Sequence, residues 1–232
     1  QLGVSVDEEQ TSVRLSVMKA DWEKGLSLLQ SVLTRPGFDP SVLQVAKSQE
    51  LVSLKRQGGD AMSVAMRESK IWRFKDHPYG RDPLAGLQTI PNISSEDLKH
   101  FLKTYFVPEN MTIAIAGDID KDKIVTGLNR FLQAFAKTPA PQRNLDDPNE
   151  TPPAVILVDK PGQVQSQIVL SLPSLKRTHP DYWKASLLMN VFGGSDSLMY
   201  KRLRDDLGLV YSAGFYQTYK WQAGQLVGYI GC

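Results

Sequence analysis

Residues 138–153, TPAPQRNLDDPNETPP, limit the fold more than any other feature of the chain. Five prolines fall in this stretch, and Leu145 is its one large apolar residue. Proline fixes φ and lacks an N–H donor, so neither a helix nor a central strand runs through such a segment. It reads as an extended, exposed linker, and the chain on either side must bury its own apolar residues. The expected organisation is a first unit over 1–137, a linker over 138–153 and a second unit over 154–232.

The first unit alternates at TSVRLSVM, residues 11–18, as a strand does. Asp21 then stands as an N-cap before WEKGLSLLQSVL, whose Trp22, Leu26, Leu29 and Leu33 recur at helical spacing. A second helix starts at Asp39-Pro40, with proline at the first helical position, and stops at Gly58-Gly59. A third follows Asp60, and KDHPYGRDPLAG is a loop. Ser94 and Asp97 form a capping-box-like start for a helix carrying Leu98, Phe101, Leu102 and Tyr105. MTIAIAGD, from Met111, reads as a strand buried on both faces, and 121–136 as a helix.

Beyond the linker the pattern restarts. AVILV and QSQIVLSLPS read as strands, and Asp181 opens the helix YWKASLLMNVF before Gly193-Gly194. SLMYKRLRDDL reads as a helix, and VYSAGFYQTY and QLVGYIGC as two more strands. The fold class expected from this order is α+β. The chain opens without Met and stops at a strand-like segment, so both ends are expected to be truncated.

Bulk properties exclude several function classes. Hydrophobic residues make up 41% of the chain, enough apolar surface to offset chain entropy, so disorder is not expected. The formal charge of +2, from 27 basic and 25 acidic residues, gives no electrostatic reason to expect a nucleic-acid partner. The only cysteine is Cys232, so no intrachain disulfide and no Cys-based zinc cluster can form. No apolar run reaches the ~20 residues of a membrane span, and no signal peptide is visible.

Chemistry is sparse. His77, His100 and His179 form neither HxxEH nor HExxH, and read as solvated or capping histidines. No GxSxG, P-loop or GxGxxG occurs, and Gly193-Gly194 lacks the dinucleotide-binding spacing. One constellation stands out. Arg204 at the end of a helix and Tyr211 at the start of a strand are joined by the returning turn DDLGLV. A guanidinium and a phenol brought together this way can both donate to a peptide carbonyl, as an oxyanion-stabilising pair does. The same residues also read as a surface arginine and a half-buried strand tyrosine.

Taken together, several segments resemble the pitrilysin/insulinase family of inverted-motif zinc peptidases. HPYGRDPLAGLQTIPNISSEDLKHFLKTYFVPENMTIAIAGDID, residues 77–120, is similar to that family's loop–helix–strand segment. PGQVQSQIVLSLP, HPDYWKASLLMNVFGG and LMYKRLRDDLGLVYS follow in the order of its second domain. The resemblance implies two homologous α+β units, each a mostly antiparallel sheet with helices packed on one face. Two such halves close around an unfolded peptide, which adds as a strand to a sheet edge. It further implies a zinc held by the two His of HxxEH and a distal Glu, with an Arg/Tyr pair, here Arg204 and Tyr211, supplied from the opposite half.

The sequence departs from the active pattern at the metal site. HxxEH is absent, and its place would lie upstream of residue 1. Matching Phe38-Asp39 puts Ala46 and Ser53 where the family carries two glutamates, and neither binds zinc as a carboxylate does. Glu50, on the same helix, is the remaining candidate ligand, with a solvated helix glutamate as its plainer reading. The resemblance therefore points to the bacterial two-chain type and to its non-catalytic subunit. That subunit has no cofactor of its own, zinc lies in the partner or an upstream half, and an HxxEH-bearing partner and an unfolded peptide are the binding partners. Two alternatives stand beside it: a parent chain that is itself a zinc metalloendopeptidase with HxxEH upstream, and a structural scaffold subunit. Family resemblance alone suggests the periplasm or cell envelope.

Overall fold

The computed structural model describes residues 1–142, 145–193 and 197–232. The fold is α+β, with antiparallel sheets and helices. Its elements fall into two compact units, Gln1–Gln49 with Thr89–Asn144 and Glu50–Gln88 with Leu145–Cys232. This grouping differs from a single cut at the proline-rich segment, because residues 50–88 pack with the second half of the chain.

In the first of these units, β1 (Leu2–Val6) and β2 (Thr11–Leu15) form an antiparallel hairpin. The Asp7 carboxylate closes its turn by accepting from the N–H groups of Glu9 and Gln10. β1 was not expected from the sequence. α1 (Trp22–Thr34) follows a 3₁₀ turn, Lys19–Asp21. Asp21 sits at the N-cap position as expected, but its side chain makes no capping bond. α2 (Pro40–Gly59) opens with the Asp39 carboxylate accepting from the Ser41 N–H at 2.7 Å, and stops at the expected glycines. α5 (Ser95–Tyr105) carries the full reciprocal box between Ser94 and Asp97. Asp120 caps α6 (Lys121–Leu132), whose buried Phe131 lies 5.1 Å from Phe135, ring centre to ring centre.

Two expected strands are not formed. Neither 111–118 nor 154–158 joins a ladder among the described residues. A strand is defined by a neighbour that takes its N–H and C=O groups, and neither segment has one. Their apolar residues are correspondingly open, with Ile115 46% and Leu157 91% exposed.

The second unit centres on a three-stranded antiparallel sheet in the order β3 (Gln167–Ser174), β5 (Gly224–Gly231), β4 (Ser212–Tyr219). All three coincide with expected strands. α3 (Ala61–Phe74) starts at Asp60, whose carboxylate accepts from the Ser63 N–H, and packs against β3. Short turns carry the chain on to α4 (Gly86–Thr89).

The HPYG segment is structural. Tyr79 is 2% exposed, lies edge-on to Phe74, and donates from its hydroxyl to Gln222 in the β4–β5 turn at 2.5 Å. α7 (Tyr182–Phe192) lies on β4, and the capping reading of two histidines agrees with the bonds found. The Nδ1 of His77 accepts from the Tyr79 N–H, and that of His179 from the Asp181 N–H.

The later part of the proline-rich segment has no regular structure but is tied to this unit. The Asp146 carbonyl meets His77 Nε2 at 3.2 Å, and the Asp147 carboxylate pairs with Lys176 at 2.9 Å. The Pro152 carbonyl accepts from the Trp72 indole at 3.3 Å, and the Asn149 carbonyl from Arg73 at 3.5 Å. Arg73 is 8% exposed, and burial pulls its guanidinium below its ordinary pKa, partly offset by the charge of Glu150.

Candidate functional site

Arg204 and Tyr211 are brought together by a helix end, a tight turn and a strand start. The helix begins at Ser197, a buried residue whose hydroxyl accepts from the Tyr200 N–H at 3.2 Å. α8 (Leu198–Tyr200) is one short turn, and from Lys201 to Asp206 the winding widens to π. The sequence reading expected an α-helix throughout. A π turn carries i→i+5 bonds and one extra residue, which leaves little trace in so short an apolar pattern.

Gly208 ends the π turn. Its φ of +62° lies in the left-handed region that favours glycine. Its N–H donates to the Arg204 carbonyl at 3.1 Å, and that of Leu209 to the Leu203 carbonyl at 3.0 Å. The chain thus reverses and delivers Tyr211 to the sheet, where its N–H donates to the Gly231 carbonyl at 2.9 Å.

The two side chains meet. Arg204 Nη1 donates to the main-chain carbonyl of Tyr211 at 2.5 Å, and Cζ lies 5.2 Å from the Tyr211 ring centre. The same Cζ lies 5.3 Å from the Tyr200 ring centre. One N–H is used in this way, and the guanidinium carries five. Tyr211 is 71% exposed, and its hydroxyl has no partner among the described residues. The arrangement presents arginine N–H donors and a tyrosine O–H donor on one exposed surface, the inventory that a developing oxyanion requires.

An open apolar pocket of about 430 Å³ is lined by Met189, Phe192, Leu198, Met199 and Phe215, from α7, α8 and β4. Gly193 ends α7 against β4 so closely that a Cβ there would sit 2.0 Å from the Phe215 carbonyl oxygen. The other half of the expected Gly193-Gly194 pair, Gly194, lies outside the described residues.

The zinc-ligand positions do not assemble a site. Ala46, Glu50 and Ser53 are all exposed on α2, and the Ser53 hydroxyl faces Gln57 Nε2 at 3.4 Å. Among the described residues no three His, Cys, Asp or Glu side chains come close enough to share a metal. On α2 the two expected carboxylate positions hold an alanine and a serine, which supply no carboxylate ligand, and Glu50 is the one acidic residue of that helix. No helix among the described residues is long and apolar enough to cross a membrane.

The sequence reading paired Arg204 with Tyr211 and left out Tyr200, whose ring the structure sets against the same guanidinium. The signal for Tyr200 was present, since an aromatic four residues before an arginine shares its helix face.

Comparison with known proteins places the chain in a family. Residues 92–232 match the family described as the peptidase M16 inactive domain. A non-peptidase homolog of Helicobacter pylori, YmxG, is 22% identical over 231 residues, covering 99% of this chain and 53% of its own. An uncharacterized zinc protease of Streptomyces coelicolor is 27% identical over 173 residues, covering 68% of this chain and 36% of its own. The chain thus spans about half the length, or less, of these curated relatives. A crystal structure of a peptidase M16 inactive domain from Pseudomonas fluorescens shares the fold, with a TM-score of 0.89 at 22% identity over all of this chain and 57% of that one. With more than half of its residues matched, the chain belongs to the peptidase M16 inactive-domain family.

Proposed function

We propose that this chain is part of the non-catalytic half of a two-chain zinc peptidase. It closes a chamber around an unfolded peptide and presents Arg204 and Tyr211 to the scissile carbonyl held by an HxxEH-bearing partner. In this reading the two homologous α+β units of the parent shape the chamber, and the zinc belongs to the partner. The observation that carries it is the Arg204–Tyr211 pair, with its exposed tyrosine hydroxyl and spare arginine donors. Ala46 and Ser53 at the expected ligand positions support it, as does a relative named a non-peptidase homolog.

The chemistry follows from charge development. Attack on a peptide carbonyl turns a neutral oxygen into an oxyanion. Donors fixed in advance bind that oxyanion more tightly than the ground-state carbonyl, so they raise turnover more than affinity.

The test is zinc content and peptide cleavage by the full-length parent, alone and mixed with its HxxEH-bearing homologue. The proposal expects no bound zinc and no cleavage alone, and zinc-dependent cleavage from the mixture. About one zinc per chain with cleavage by the parent alone would replace it with the self-sufficient metallopeptidase, and Glu50 would become the ligand to substitute. Absence of cleavage from any mixture would leave the scaffold reading.

A further inference from the structure

We infer that Tyr200 is a positioning residue whose ring holds the Arg204 guanidinium in the orientation the site uses. The inference rests on the reading of Arg204 and Tyr211 as an oxyanion-stabilising pair. Arg204 is exposed and ends a long flexible stem, so on its own it would sweep a wide volume. Three contacts restrict it: the Tyr211 carbonyl at 2.5 Å, the Tyr211 ring at 5.2 Å and the Tyr200 ring at 5.3 Å. A guanidinium against an aromatic face within about 6 Å is attracted by the ring quadrupole.

Tyr200 is well placed for this task because its backbone is anchored. Its N–H is bound by the hydroxyl of the buried Ser197, and it stands where the helix widens into the π turn. Across the start of the π turn the Arg204 Cζ comes to 5.3 Å from the centre of the Tyr200 ring. Of the two acids that follow Arg204, Asp206 pairs with Arg202 at 3.1 Å, and Asp205 makes no ion pair with Arg204 among the described residues. Among the described residues Arg204 has no ion pair, so its direction is set by rings and a carbonyl and not by a competing acid.

The test uses Tyr200→Phe, which keeps the π face, and Tyr200→Leu, which keeps apolar bulk and removes it. Arginine-labelled full-length protein is followed by NMR, and turnover is measured after mixing with the HxxEH-bearing homologue on an unstructured fluorogenic peptide. Positioning predicts ring-current-shifted Arg204 side-chain resonances that persist in Tyr200→Phe and move toward free-arginine values in Tyr200→Leu. It also predicts that Tyr200→Leu lowers kcat about two- to fivefold at unchanged KM, with wild-type kcat for Tyr200→Phe. Unchanged Arg204 resonances in Tyr200→Leu overturn it, as does full turnover by that variant when Arg204→Ala is impaired. If Arg204→Ala itself retains full turnover, the functional reading of the pair fails, and the resonances alone decide whether Tyr200 orients the arginine.

Discussion

The guanidinium of Arg204 donates to the backbone carbonyl of Tyr211 at 2.5 Å and leaves the Tyr211 hydroxyl open. The bond crosses a turn of only a few residues, so the geometry of the pair depends on that turn as much as on the side chains. Gly208 is its pivot.

Gly208→Ala places a Cβ in the left-handed region and is expected to cost about 1 kcal/mol. For a chain of this size that lowers the thermal midpoint by about 2–4 °C. Gly208→Asn should cost less, because asparagine tolerates this conformation. Calorimetry of both variants checks the order, and a midpoint for Gly208→Ala at or above wild type would contradict it.

Gly193→Ala is expected to be the more damaging change. Its new methyl meets main-chain oxygens of Phe215 and Met189, at 2.0 and 2.7 Å, and neither can swing aside as a side chain would. Overpacking of this kind costs about 1–3 kcal/mol. A denaturant midpoint equal to that of wild type would show that α7 is not held against β4 as described.

The strap over residues 146–152 should be protected from exchange and proteolysis in proportion to its anchors. Trp72→Phe keeps a smaller aromatic ring and removes the donor to Pro152, and Lys176→Ala removes the pair to Asp147. Together they are expected to speed hydrogen exchange across the strap. The Lys176 contribution should fade as salt rises, because that pair is exposed. Equal exchange in wild type and double variant would show the segment to be free.

Acid should loosen helix starts before it affects the sheet. Bonds from Ser41, Ser63 and Ser94 hold the carboxyls of Asp39, Asp60 and Asp97 below the ordinary carboxylate range. The bonded form is the ionised one. Its stabilisation is complete above the unfolded carboxylate pKa of about 4 and is lost as pH falls through the lower folded value. Thermal midpoints followed by helix circular dichroism should be level from about pH 6 to about pH 4, then drop. Asp97→Asn should make the drop shallower, and an unaltered acid limb in that variant would contradict the assignment.

Much of this fold was legible because its signals are local. The Ser94–Asp97 box, Asp39-Pro40 and the Asp60 cap each name a helix start through atoms a few residues apart. That Arg204 and Tyr211 meet was legible for the same reason, since a glycine-bearing turn joins them. What was not legible is non-local. Met111–Ala116 has the composition of a buried strand, but pairing requires a neighbour that composition cannot supply. The grouping of 50–88 with the later sheet rests on contacts such as Tyr79 to Gln222, across 143 positions. The π turn was missed because five- and four-residue spacings look alike over six residues.

The most direct measurement is kcat and KM of the reconstituted enzyme carrying Arg204→Ala or Tyr211→Phe, with the parent chain mixed with its HxxEH-bearing homologue. The account predicts that each substitution lowers kcat by on the order of 10²-fold or more with little change in KM, as loss of an oxyanion donor does. Turnover equal to wild type in both variants would contradict it.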